Sequence, residues 1–123
     1  QKPEILAQIN AAFQKAVGDP NMQVTYDAPT VIYVSCKNED EEIVKGCNAG
    51  VVMENMLLEA ADLGLGAVYL FGVSQVLFAN EEITKLLQIP EGFRTVSAIA
   101  VGTSADALQE RTLGTDKIST TTL

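Results

Sequence analysis

The sequence predicts an α/β (α+β) domain, and three observations carry that prediction. The runs "TVIYVSC", "AVYLF" and "FRTVSAIAV" are short, apolar and rich in β-branched residues, as buried strands are. Segments of helical periodicity precede the first strand and separate the others, so helices layer on a sheet. The chain has 123 residues, 47% of them hydrophobic, enough for one domain with one core.

The elements follow in order. Lys2-Pro3-Glu4 marks a helix entry, because proline is tolerated in the first turn and an acid there opposes the helix dipole. Ile5, Ile9, Ala12, Phe13 and Ala16 then share one face, and Gly18 ends the helix. Pro29 suits the first position of a strand over Thr30 to Cys36. The charged run "KNEDEE", Lys37 to Glu42, reads as a solvated loop.

A long helix is predicted from about Ile43 to Leu63. At about 100° per residue, Lys45, Asn48, Glu54, Asn55, Glu59 and Asp62 share a polar side, and the rest of the surface is apolar or small. Glu54 and Glu59 read as a solvated stripe. A helix this apolar is central to its fold. Gly46 and Gly50 allow another backbone to approach: either the chain's own sheet or a helix of a second subunit. Leu63-Gly64-Leu65 is a helix stop with Gly64 left-handed. The second strand covers Ala67 to Phe71 and ends at Gly72. Asn80 caps a short helix carrying Glu81 and Glu82 in its first turn, Pro90-Glu91-Gly92 turns the chain, and the third strand runs from Phe93 to Val101. Thr103 to Leu123 is a polar tail. Three strands are few for so apolar a helix, so a further strand is expected before Gln1 or from another chain.

Composition excludes several functions. Eight basic against 16 acidic residues give a net charge of −8, the wrong sign for a nucleic-acid partner. No apolar run is long enough to span a bilayer, so a soluble, cytoplasmic protein is expected. With no histidine, Ser-His-Asp and Cys-His catalysis and histidine metal ligation are removed. No metal site is expected. Cys36 and Cys47 fit neither a redox pair nor a zinc site and read as two free, buried thiols. The chain begins at Gln1 rather than Met, which suggests that a targeting segment or more of a longer protein once preceded it.

The segments "APTVIYVS", "NAGVVMENMLLEAADLGLGAVYLFG", "ITKLLQIPEGFRTVSAIAVG" and "DKISTTTL" occur in that order. Together they resemble the C-terminal two thirds of an FMN-dependent nitroreductase-family protein, most clearly from Ala28 to Gly102. The resemblance implies a three-layer sandwich with a mixed β-sheet between helices, a homodimer, and FMN sites at the subunit interface. Residues 1–123 would then be a single nitroreductase-like domain fragment truncated at its N-terminus, with 103–123 a tail that wraps a partner subunit. The family's N-terminal FMN phosphate motif has no counterpart in the sequence.

The implied activity is hydride transfer from NAD(P)H through flavin N5 to a small electron-poor acceptor. The cofactor carries that chemistry and the protein orients it, so no catalytic side chain is assigned. By resemblance, the backbone of Tyr69, Leu70, Phe71 and Gly72 lies beside the flavin, with Gly72 permitting close approach. Many members have an acid where Phe71 stands. Arg111, in "QERTLG", falls near a basic pair that holds the FMN phosphate, and Gln109 occupies the other basic position. Residues 1–123 alone are therefore expected to bind FMN poorly and to be inactive. The alternative is a non-catalytic module that kept the fold's dimer surface and lost the cofactor.

Overall fold

The centre of the sheet is a strand of small residues. In the computed structural model, which describes residues 3–22, 24–72, 80–107, 109–110, 112, 114, 119 and 121–122, strand β3 (Phe93–Gly102) lies between β1 (Thr30–Lys37) and β2 (Gly66–Tyr69). Both outer strands pair antiparallel with β3, so β1 and β2 run the same way with β3 opposed between them. A register shift between Val34 and Ser35 marks a bulge in β1.

Side chains alternate across the sheet, and each face has its own helical layer. On one face Val31, Ala98 and Ala100 pack with Ile9 and Phe13 of α1 (Pro3–Val17) and with Ile83 of α3 (Glu81–Leu86). The opposite face is covered by α2 (Glu42–Asp62), which contacts all three strands. Ser97, Ala98, Ile99 and Ala100 are all buried, because the central strand has a helix layer on both sides. The result is the expected three-layer sandwich.

Local chemistry sets the element ends. Beyond α2, the Leu65 amide donates to the Ala60 carbonyl and the Gly64 amide to the Ala61 carbonyl, with Gly64 at φ +69°. These two bonds form a Schellman stop, as Leu63-Gly64-Leu65 predicts. The Asn80 side chain accepts from the amides of Glu82 and Ile83, at 3.0 and 3.2 Å. Gly92, at φ +81°, turns the chain into β3.

Several expectations are corrected. Lys45 does not join the polar side of α2. It is buried in line with Ala49 and Met53, because its ammonium finds the Asn38 carbonyl and the Glu42 carboxylate. Gly46 and Gly50 do not pack on the chain's own sheet: both are exposed, and among the described residues a Cβ at either would meet nothing within 4 Å. Cys36 and Cys47 are free, but Cys36 is half-buried and Cys47 exposed, since Cys47 lies on the outer side of α2. Ala16, expected on the buried face of α1, is exposed near the helix end. β2 stops at Tyr69, after which the Leu70 amide still donates to the Ala98 carbonyl of β3. Glu42, expected in the solvated loop, opens α2 and also pairs with Arg94.

Candidate functional site

At the carboxyl end of β2 the chain leaves the sheet and turns through Tyr69, Leu70, Phe71 and Gly72. All four line one cleft of about 170 Å³. The Leu70 amide donates to the Ala98 carbonyl at 2.8 Å, and its side chain is buried in the core. Leu70 thus fastens the turn to β3, and its side chain faces the protein interior. Its neighbours face outward. Tyr69 is 39% and Phe71 59% exposed, and their rings meet edge to face at 6.0 Å between centroids. Gly72 is exposed, and among the described residues a Cβ there would meet nothing within 4 Å, which leaves room for close backbone approach.

The opposite wall comes from Phe13, Met22, Val24 and Tyr26. The sequence reading missed these four. Phe13 is legible only as a core residue of α1, while Met22, Val24 and Tyr26 lie in a connection without periodicity. Tyr26 is 65% exposed, and nothing in its sequence neighbourhood signals that. No Lys or Arg is among the described residues lining the cleft. Arg111 lies outside the described residues.

Other titratable groups lie elsewhere. Tyr33, on β1, has its hydroxyl pushed up to about 12 by burial. The Glu42 carboxyl is held below its ordinary range by hydrogen bonding from Lys45 and, secondarily, from Arg94. Among the described residues no group of three His, Cys, Asp or Glu side chains could hold a metal. Among them, too, no helix is long and apolar enough to cross a membrane.

The cleft's ring-lined end and open Gly72 backbone suit the edge of a flat heterocycle such as the FMN ring system. The cofactor's phosphate, by contrast, meets no cation among the described cleft residues. A volume of 170 Å³ is also below the roughly 300 Å³ at which small-molecule pockets begin.

Comparison with solved structures gives the same architecture. The chain is similar to a nitroreductase with bound FMN from Desulfitobacterium hafniense DCB-2, at TM-score 0.80 and 18% identity, covering 98% of this chain and 71% of that one. It is also similar to a nitroreductase with bound FMN from Bacteroides fragilis NCTC 9343, at TM-score 0.75 and 21% identity, covering 96% and 68%. A relative from Methanothermobacter thermautotrophicus, provisionally named NADH dehydrogenase/NAD(P)H nitroreductase, is 38% identical over 84 residues. That match covers 65% of this chain and 42% of the relative, so the chain spans less than half of the relative's length. The pattern of the Nitroreductase family matches residues 2–103, which is most of the sequence. The chain belongs to the nitroreductase family.

Proposed function

We propose that the protein containing these 123 residues is an FMN-dependent NAD(P)H oxidoreductase that reduces a small, electron-poor acceptor. The observation that carries this reading is the turn at the end of β2. A glycine whose Cβ position is clear of every described atom lies there beside two exposed aromatic rings. When bound, FMN supplies the hydride and electron transfer. The residues of this chain would hold and orient it: Tyr69 and Phe71 by ring contact, Gly72 by backbone approach, and Leu70 by fixing the turn to Ala98. Arg111 is proposed for the phosphate.

The same reading calls for a second subunit. Ile43, Val51 and Leu58 are 72, 64 and 60% exposed on the outer side of α2, beside Gly46 and Gly50. Exposed apolar side chains with bare glycine backbone between them suit a symmetric helix pair. We propose a homodimer through this face.

The test is a titration of FMN fluorescence by the purified chain, followed by anaerobic reduction with NADH and NADPH. Weak binding to residues 1–123 and retention of FMN by the longest product of the gene are expected. If neither binds FMN, the oxidoreductase reading fails and the non-catalytic dimer module replaces it.

A further inference from the structure

Tyr26 holds a backbone conformation that a tyrosine disfavours, and its ring is not buried in exchange. Tyr26 and Asp27 have φ of +53° and +54°, and the Ala28 amide donates to the Thr25 carbonyl at 3.0 Å. Positive φ at both central residues with that closing bond makes a type I′ turn, which selects glycine, asparagine or aspartate. Asp27 meets the preference and Tyr26 does not. The turn is anchored on both flanks. Val24 and Thr25 are buried before it, and after it Pro29 sits so close to Gly102 that a Cβ on the glycine would lie 2.7 Å from the proline ring. The Tyr26 side chain is nevertheless 65% exposed. Backbone strain kept by firm surroundings, at a residue that adds little to the core, is a mark of function rather than of packing.

The cleft beside Gly72 gives the ring a task. Phe13, Val24 and Leu70 of its lining are buried. On one side stands the Tyr69–Gly72 turn with its two exposed rings. On the opposite wall only Met22 and Tyr26 are exposed. Among the described residues, Tyr26 is therefore the one ring that a flat ligand in this cleft can meet from that wall. A phenol is electron-rich and the flavin ring system electron-poor, so contact between them is favourable, and an aromatic side chain against a heterocyclic base is worth about tenfold in affinity. The turn sets the backbone under the ring before any ligand arrives, so less freedom is lost on contact.

We propose that Tyr26 is a cofactor-contact residue: its ring covers the flavin from the wall opposite Gly72, and the turn from Thr25 to Ala28 carries backbone strain to hold it there. This rests on the flavoprotein reading above. It adds a contact from the connection between α1 and β1, far in sequence from the turn that ends β2.

The test uses the longest product of the gene and reads its Kd for FMN, the fluorescence lifetime of the bound flavin, and the urea midpoint of the flavin-free protein. An excited flavin takes an electron from a phenol in contact with it and returns it without emitting, whereas the phenyl ring of phenylalanine does not donate. Tyr69 is the other tyrosine in the described cleft lining, so lifetimes are compared in a Tyr69→Phe background. There Tyr26→Phe is expected to lengthen the lifetime severalfold and to leave the Kd unchanged. Tyr26→Asn is expected to raise the Kd about tenfold through loss of the ring contact. Because asparagine suits the turn, the same variant is expected to raise the urea midpoint. A lifetime unmoved by Tyr26→Phe, or a Kd unmoved by Tyr26→Asn, overturns the proposal and leaves the flavoprotein reading standing. A lowered midpoint in Tyr26→Asn makes the ring a packing residue and overturns it as well. If the gene product retains no FMN, the flavoprotein reading fails and the proposal fails with it.

Discussion

The ammonium of Lys45, 1% exposed, lies 2.9 Å from the carboxylate of Glu42, which is 75% exposed and also pairs with Arg94. A cation withdrawn from water is thus balanced by an anion at the surface, and the Asn38 carbonyl accepts a further bond from it at 3.0 Å. The group ties the β1–α2 connection to the start of β3.

This pairing gives a pH dependence with a definite sign. Because the folded state holds the Glu42 carboxyl below its ordinary value of 4.5, the pair's contribution is present above that value and is lost as pH falls through the lowered one. Urea melts at pH 6 and pH 3 should show a larger acid loss in the wild type than in Lys45→Met. At neutral pH, Glu42→Gln should lower the midpoint more than Lys45→Met, since it leaves the buried ammonium without its carboxylate. The reverse order would mean that Lys45 does not depend on this partner.

Tyr33 gives the opposite dependence. Its hydroxyl is buried without a hydrogen-bond partner among the described residues, and burial raises it from 10.0 to about 12. The folded state favours the neutral form, so stability is full below pH 10 and falls as pH rises toward 12. The loss should be on the order of 2 kcal/mol. Tyr33→Phe should remove that component, so the difference between variant and wild type should widen between pH 9 and pH 11. A constant difference would place the hydroxyl in water.

Ser97 is fully buried on β3, and its hydroxyl has no partner among the described residues. An unpaired buried hydroxyl costs stability, so Ser97→Ala should be neutral or stabilise the fold by roughly 1 kcal/mol. A comparable loss in chemical denaturation would show that the hydroxyl is bonded.

Gly72→Val isolates the proposed cofactor contact. Because a Cβ at Gly72 meets nothing within 4 Å among the described residues, the unfolding midpoint should change little, while FMN affinity of the intact protein should fall at least about tenfold, or ~1.4 kcal/mol. Unchanged affinity would remove Gly72 from the site.

Gly50→Gln separates the helix from the interface. Gly50 is exposed and unobstructed among the described residues, so glutamine should stabilise α2 by roughly 0.5–1 kcal/mol through helix propensity. In the proposed homodimer the same side chain would block the helix pair. Sedimentation should therefore show monomers that are more stable than the wild-type protomer. A variant that still dimerises would place the interface elsewhere.

Signals read within a few residues of sequence were enough for most of the secondary structure. Asn80 before two acids, Gly64 between two leucines, Pro90-Glu91-Gly92 and the β-branched run at Thr30 act over one turn or one strand, and the fold keeps each of them. The order of segments likewise carried the family resemblance, which the match over residues 2–103 establishes. Relations across elements were not legible. Helical periodicity put Lys45 with the polar residues because it counts charge and cannot see the Asn38 carbonyl that receives the ammonium. It left Gly46 and Gly50 open to two readings because spacing alone does not tell which side of a helix meets the sheet. The cleft shows the same division. Tyr69–Gly72 lie together in sequence, but Phe13, Met22, Val24 and Tyr26 reach them only because α1 and the chain after it cross the face of the sheet beside the end of β2. Local order follows from neighbouring residues, whereas burial, pairing and the walls of a site depend on distant segments packed together.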